Sequence, residues 1–214
     1  LALLISLLNP TLDKVFKQAS IAECQNQMKH ATSTALLISD DQNGLLPRGG
    51  IGNTGGFVIW MINKSVKQFT DYGLKRDWLI CPTISVGKDH NVSINQGGHT
   101  LMHNQYFGNN PAMNGRRRAN IPQRNYLFPT RSTDNGDLPL FADGNTYTNW
   151  GGGWTLAPHS GNENRLYEGY PLEPSLFGSD GGNVAYLNGS VFWKDYADMN
   201  HYYNHTTNSS YGMW

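Results

Sequence analysis

The sequence predicts an α+β fold in which one long N-terminal α-helix packs on a β-rich globular head with long loops. Three observations predict it. Residues 1–38 contain no glycine and a single proline, and their apolar residues recur at intervals of three and four. The rest of the chain is dense in Gly, Asn, Tyr and Trp, a mix that suits turns, loops and short strands. Between the two lies Asp40-Asp41-Gln42-Asn43-Gly44, a run that stops a helix. The expected division is a helical stem, residues 1–38, and a head, residues 39–214.

The helical stripe runs through Leu1, Leu4, Ile5, Leu8, Leu12, Val15, Phe16, Ala19 and Ala22, and continues at Met28, Ala31, Ala35 and Ile38. Lys14, Lys17, Gln18, Gln25 and Lys29 fall mostly elsewhere. Such a helix is about 55 Å long at 1.5 Å per residue, longer than a compact head is wide, so part of it protrudes. Its first eight residues are apolar all round, which requires an apolar environment on every side. Eight residues are too few to cross a bilayer, which takes about 20. Pro10 removes one backbone hydrogen bond and predicts a kink or melted turn between Ser6 and Pro10.

In the head, Phe57 to Phe69 reads as a second, shorter helix. Short strands are expected at Trp78–Ile80, Asn91–Ile94, Thr100–His103, Leu138–Phe141, Asn183–Leu187 and Ser190–Trp193. The last two form a hairpin around Asn188-Gly189, a strong two-residue turn.

Sixteen basic residues balance sixteen acidic ones, which gives no support for a nucleic-acid partner. The single basic run, Arg116-Arg117-Arg118 with Arg124, reads as a solvated loop or a contact between subunits. A surface made soluble by Asn, Ser, Thr and Gly favours export. Cys24 and Cys81 could form a disulfide, remain buried thiols or be unrelated, and two cysteines alone do not make a zinc site. In an exported chain a bridge is favoured, worth roughly 4 kcal/mol in the chain-entropy model.

The catalytic reading finds no support. His90, His99, His103, His159, His201 and His205 supply imidazoles, but no nucleophile elbow or paired-carboxylate spacing accompanies them. His99 and His103 have the spacing of a helical zinc pair but lack the intervening glutamate and follow Gly97-Gly98. All six read as surface or loop residues. Asp134, Asp137, Asp143 and Asp180 lie in glycine-rich turns and offer the hard oxygens that calcium takes, or serve only as turn formers. The Trp150 to Trp154 segment and the tyrosines near the C-terminus could stack on sugars or close a core. Asn204 and Asn208 head acceptor sequons for glycans.

Several segments resemble one family in its order. Leu1 to Pro10 resembles the second half of the apolar helix of type IV pilin-like proteins of planctomycete-like and verrucomicrobia-like bacteria, ending at that family's helix proline. Ile21 to Lys29 resembles its cysteine segment, Ser39 to Pro47 its acidic turn, and Trp78-Leu79-Ile80-Cys81-Pro82 its second cysteine with following proline. Gly181 to Trp193 resembles its closing hairpin, with Gly178 where the family has histidine and Asn188 where it has aspartate. A mature chain of that family begins about a dozen residues before Leu1. The resemblance implies a type IV pilin-like fold and a Cys24–Cys81 bridge from helix to head. It also implies a non-enzymatic subunit that passes through the inner membrane into an extracellular, homo-oligomeric helical filament on the cell surface. Leu1, Leu4, Ile5, Leu8, Pro10 and Leu12 would form the filament core. The alternatives are a pseudopilin of a type II secretion-like machine and a secreted carbohydrate-binding module.

Overall fold

In the computed structural model the apolar repeat forms α1, Ala2–Asp41, about 60 Å long at 1.5 Å per residue. The structure describes residues 2–50, 60–82, 99–102, 104–110, 128–148, 154–159, 180–199, 201–203 and 210–213, with side chains for 11–50, 61–82, 102, 104–110, 128–145, 157–159 and 180–199. The helix runs without interruption through Pro10, so no turn is melted there. Proline deletes one hydrogen bond of the ladder, and the turns on either side carry the helix across. The stop signal acts as expected, three residues beyond Ile38. Asn43 and Gly44 take positive φ (55° and 82°), and the Gly44 N–H donates to the Ser39 carbonyl at 2.8 Å.

From Cys24 onward one face of α1 is buried: Cys24, Met28, Ala31, Ala35 and Ile38 all enter the main core. This half of the stem is thus part of the head's interior. Ala31 and Ala35 are small enough to let the helix axis approach the sheet closely. That sheet has the antiparallel order β3-β4-β7-β8, formed by Asn104–Tyr106, Pro139–Asp143, Gly181–Tyr186 and Val191–Asp195. The expected closing hairpin is its β7–β8 pair, with Val184 opposite Phe192 and Gly189 in the turn at φ 85°. Phe69, Tyr106 and Phe141 fill the space between helix and sheet, their ring centroids 4.8–6.1 Å apart.

The expected helix from Phe57 is divided. Trp60–Ile62 is a strand, β1, paired with β2, His99–Leu101, and α2 begins only at Asn63 and ends at Asp71. The expected strand at Trp78–Ile80 is instead a 3-10 turn, Arg76–Leu79, which buries Leu79 and delivers Cys81 to the interior. A second antiparallel sheet, of order β6-β5-β10-β9, contains Trp154–Leu156, Thr146–Thr148, Ser210–Met213 and His201–Tyr203. The strand expected at Asn91–Ile94 lies outside the described residues. The architecture is α+β.

Candidate metal centre

Four ionisable side chains from four separate segments meet where the helix enters the head. Cys24 comes from the buried face of α1, Cys81 from the end of the 3-10 turn, Asp143 from the last position of β4, and His159 from the turn after β6. All four are buried, none more than 3% exposed. Their donor atoms lie within 4.8 Å of one another. Cys24 Sγ donates to Asp143 Oδ1 at 3.0 Å, His159 Nε2 is 3.0 Å from Asp143 Oδ2, and Cys81 Sγ is 3.5 Å from His159 Nε2.

The backbone around Asp143 fixes its direction. Its Oδ2 accepts the Asn183 N–H at 2.6 Å, and its carbonyl accepts from Gln105 Nε2 and from the Asn145 N–H. Asn145 Nδ2 in turn donates to the Gly181 carbonyl, tying the end of β4 to the start of β7. Gly182 permits that approach, because a Cβ there would stand 2.5 Å from Asn145 Nδ2 and 2.9 Å from Met199 Cε. The Trp193 ring meets His159 edge-on, with centroids 5.4 Å apart.

The four groups set one another's charge through short contacts in a site without solvent. Hydrogen bonding to Cys81, then burial, then the Asp143 charge push the Cys24 thiol well up. Burial also opposes the Cys81 thiolate, but hydrogen bonds with Cys24 and His159 outweigh it and bring that thiol down to about 6. For His159 burial works against the charge, and the Asp143 and Cys81 contacts win, raising it to about 10. Without a metal, at neutral pH, the cluster is an Asp143–His159 ion pair beside the Cys81 thiolate and the Cys24 thiol.

The expected bridge is not formed: Cys24 and Cys81 are brought together as thiols. Nor is the cluster arranged as a nucleophilic triad. There, sulfur and carboxylate occupy opposite nitrogens of the imidazole. Here Cys81 and Asp143 approach the same nitrogen, Nε2, and Nδ1 has no hydrogen-bond partner among the described residues. Four convergent S, S, O and N donors in a dry site can do one thing well, which is to hold a borderline-soft cation.

Comparison with family models, curated proteins and solved structures gives no match. The chemistry of the site therefore rests on its own residues.

The carboxylates named for calcium do not converge among the described residues. Asp134 Oδ2 accepts the Thr130 and Arg131 N–H groups and closes a turn, Asp137 receives a long contact from Asn188 Nδ2, and Asp180 pairs with Lys17. Asp143 has two sulfurs and an imidazole for neighbours, whereas calcium takes six to eight oxygens. Asn204, Asn208, Leu1, Arg116 to Arg118, Arg124, Trp150, His90, His103 and His205 lie outside the described residues, as do the side chains of Leu4, Ile5, Leu8, Pro10, His99, Trp154 and His201. His159, expected at the surface, is the residue that sequence reasoning missed. Its only local signal is the turn Ala157-Pro158-His159, which belongs to no ligand motif.

Proposed function

We propose that the chain is a subunit of an extracellular type IV pilus-like filament, passing through the inner membrane and assembling through its N-terminal helix. One observation carries the reading. Ahead of the buried half of α1, Leu12, Val15 and Phe16 are 47%, 53% and 68% exposed, three large apolar side chains within two turns. No helix among the described residues is long and apolar enough to cross a membrane.

The direction of these side chains supports the reading further. At about 100° per residue, the Leu12, Val15, Phe16 and Ala19 stripe is centred about 130° around the helix axis from the Cys24, Met28, Ala31, Ala35 and Ile38 stripe. The head covers the second face and leaves the first for other molecules. The occupant we assign is the same helix in other copies. Each copy offers an apolar face that its own head does not use, and a heterologous contact of this kind propagates into a fibre when it does not close. Asp13 and Lys14, both exposed on the same turns, give neighbouring copies charges of opposite sign to align.

Electron microscopy of the full-length, processed chain tests the proposal. Filaments are expected. Monomeric particles alone, from folded protein at high concentration, would contradict it.

A further inference from the structure

We propose that Cys24, Cys81, Asp143 and His159 bind one zinc-class divalent ion, which fastens the helix to the head. The inference is independent of filament assembly, since it concerns the inside of a single subunit.

The geometry fits. A tetrahedral zinc ion with bonds of roughly 2.0–2.3 Å has donor atoms about 3.3–3.8 Å apart along the edges. The contacts are 3.0 Å from Cys24 Sγ to Asp143 Oδ1, 3.0 Å from His159 Nε2 to Asp143 Oδ2 and 3.5 Å from Cys81 Sγ to His159 Nε2, and the four donors all lie within 4.8 Å of one another, so shifts of about 1 Å or less bring them onto those edges. The donor set is also suited to the ion. Two sulfurs and an imidazole exclude calcium and magnesium, and with the carboxylate they supply the four ligands of a closed site. All four side chains are buried, so no position is left open to substrate and the site is structural in kind.

A disulfide would account for the two cysteines and nothing else. It leaves unexplained why a carboxylate and an imidazole are buried against the same two sulfurs, with no solvent to support either charge. The ion accounts for all four. At neutral pH the Cys24 thiol and the His159 imidazolium lose their protons to solvent on binding, Cys81 being already a thiolate, and the imidazole coordinates as the neutral base. Two thiolates and one carboxylate against a divalent cation leave a single net negative charge. The Asn183 N–H, donating to Asp143 Oδ2, is placed to support it.

The position gives the ion a mechanical role. From Thr11 onward, where the side chains are described, Cys24 is the first fully buried residue of α1, and Thr11 to Glu23 are exposed or partly so. The ion therefore sits where the stem leaves the head. It ties that point to three segments distant in sequence, and closing such loops restricts the unfolded chain.

The test uses the full chain, purified under reducing conditions with thiols alkylated in a parallel sample at lysis. Zinc content by mass spectrometry should be one ion per chain. Cobalt(II) should replace it and give tetrahedral d–d bands with thiolate charge transfer. X-ray absorption should report two sulfur and two nitrogen or oxygen neighbours. Asp143→Asn, which keeps the shape and one carbonyl acceptor, should weaken cobalt affinity at least tenfold. The double variant Cys24→Ser, Cys81→Ser should lose the charge-transfer band. Folded, reduced wild-type chain that binds no more zinc or cobalt than this double variant would overturn the proposal. So would a Cys24–Cys81 disulfide in the protein alkylated at lysis.

Discussion

Gly182 sets how closely β7 can pass the Asp143 corner, because any side chain there runs into Asn145 and Met199. Gly182→Ala should destabilise the chain by about 1–3 kcal/mol, read from chemical denaturation, and should weaken cobalt binding in the same protein. The coupled charges predict the pH behaviour of the reduced, metal-free chain. His159, raised from 6.5 to about 10, supports folding fully below pH 6.5 and loses that support as pH rises through about 10. Cys81, lowered from 9.0 to about 6, supports folding above pH 9 and loses its support as pH falls through about 6. Between 6.5 and 9 the two slopes oppose each other, so the Tm should be level there. Above 9 it should fall, because Cys24, raised by its neighbours, also resists ionisation in the fold. A His159→Gln chain should lose part of that alkaline fall. None of this was readable in the sequence. The donors sit at positions 24, 81, 143 and 159, spacings set by tertiary packing and not by a local motif. Counting cysteines therefore argued against a metal at a place where the other two ligands arrive from β4 and a proline turn.

At the level of elements, α1 is the clearest case of sequence dictating structure. Its three-and-four spacing and its Asn43-Gly44 stop are both local signals, and both act as read. Its division into two faces was less visible, because a single stripe drawn through Leu12 and Met28 ignores the rotation between them. The faces predict opposite outcomes. Met28→Ala, within the core against the sheet, should cost about 2–5 kcal/mol of stability. Phe16→Ser, at an exposed position, should change stability by no more than about 0.5 kcal/mol, measured in the same denaturation series, while abolishing filaments. The misread elements have physical causes too. Trp60–Ile62 pairs as a strand because β2 supplies its edge from nearly forty residues away in the chain. Trp78–Ile80 looks like a strand by composition, but a tight turn is needed there to bring Leu79 and Cys81 inward. Tertiary contacts decided both.

At the scale of the whole molecule, the two proposals describe one object: a head and a stem joined at a rigid corner, with the stem's unused face turned outward. A fastened corner matters for assembly, since copies that stack through their stems place their heads regularly only if the angle between stem and head is the same in each. The α+β architecture was legible from composition and periodicity. The corner was not, because it exists only once four distant segments have met. The most direct test of the account is a photo-crosslinking residue in place of Phe16, activated on intact cells that produce the processed full-length chain. We expect a ladder of crosslinked multimers of this chain. A single uncrosslinked band, or adducts to other proteins alone, would contradict the claim that this face of the helix meets its own copies.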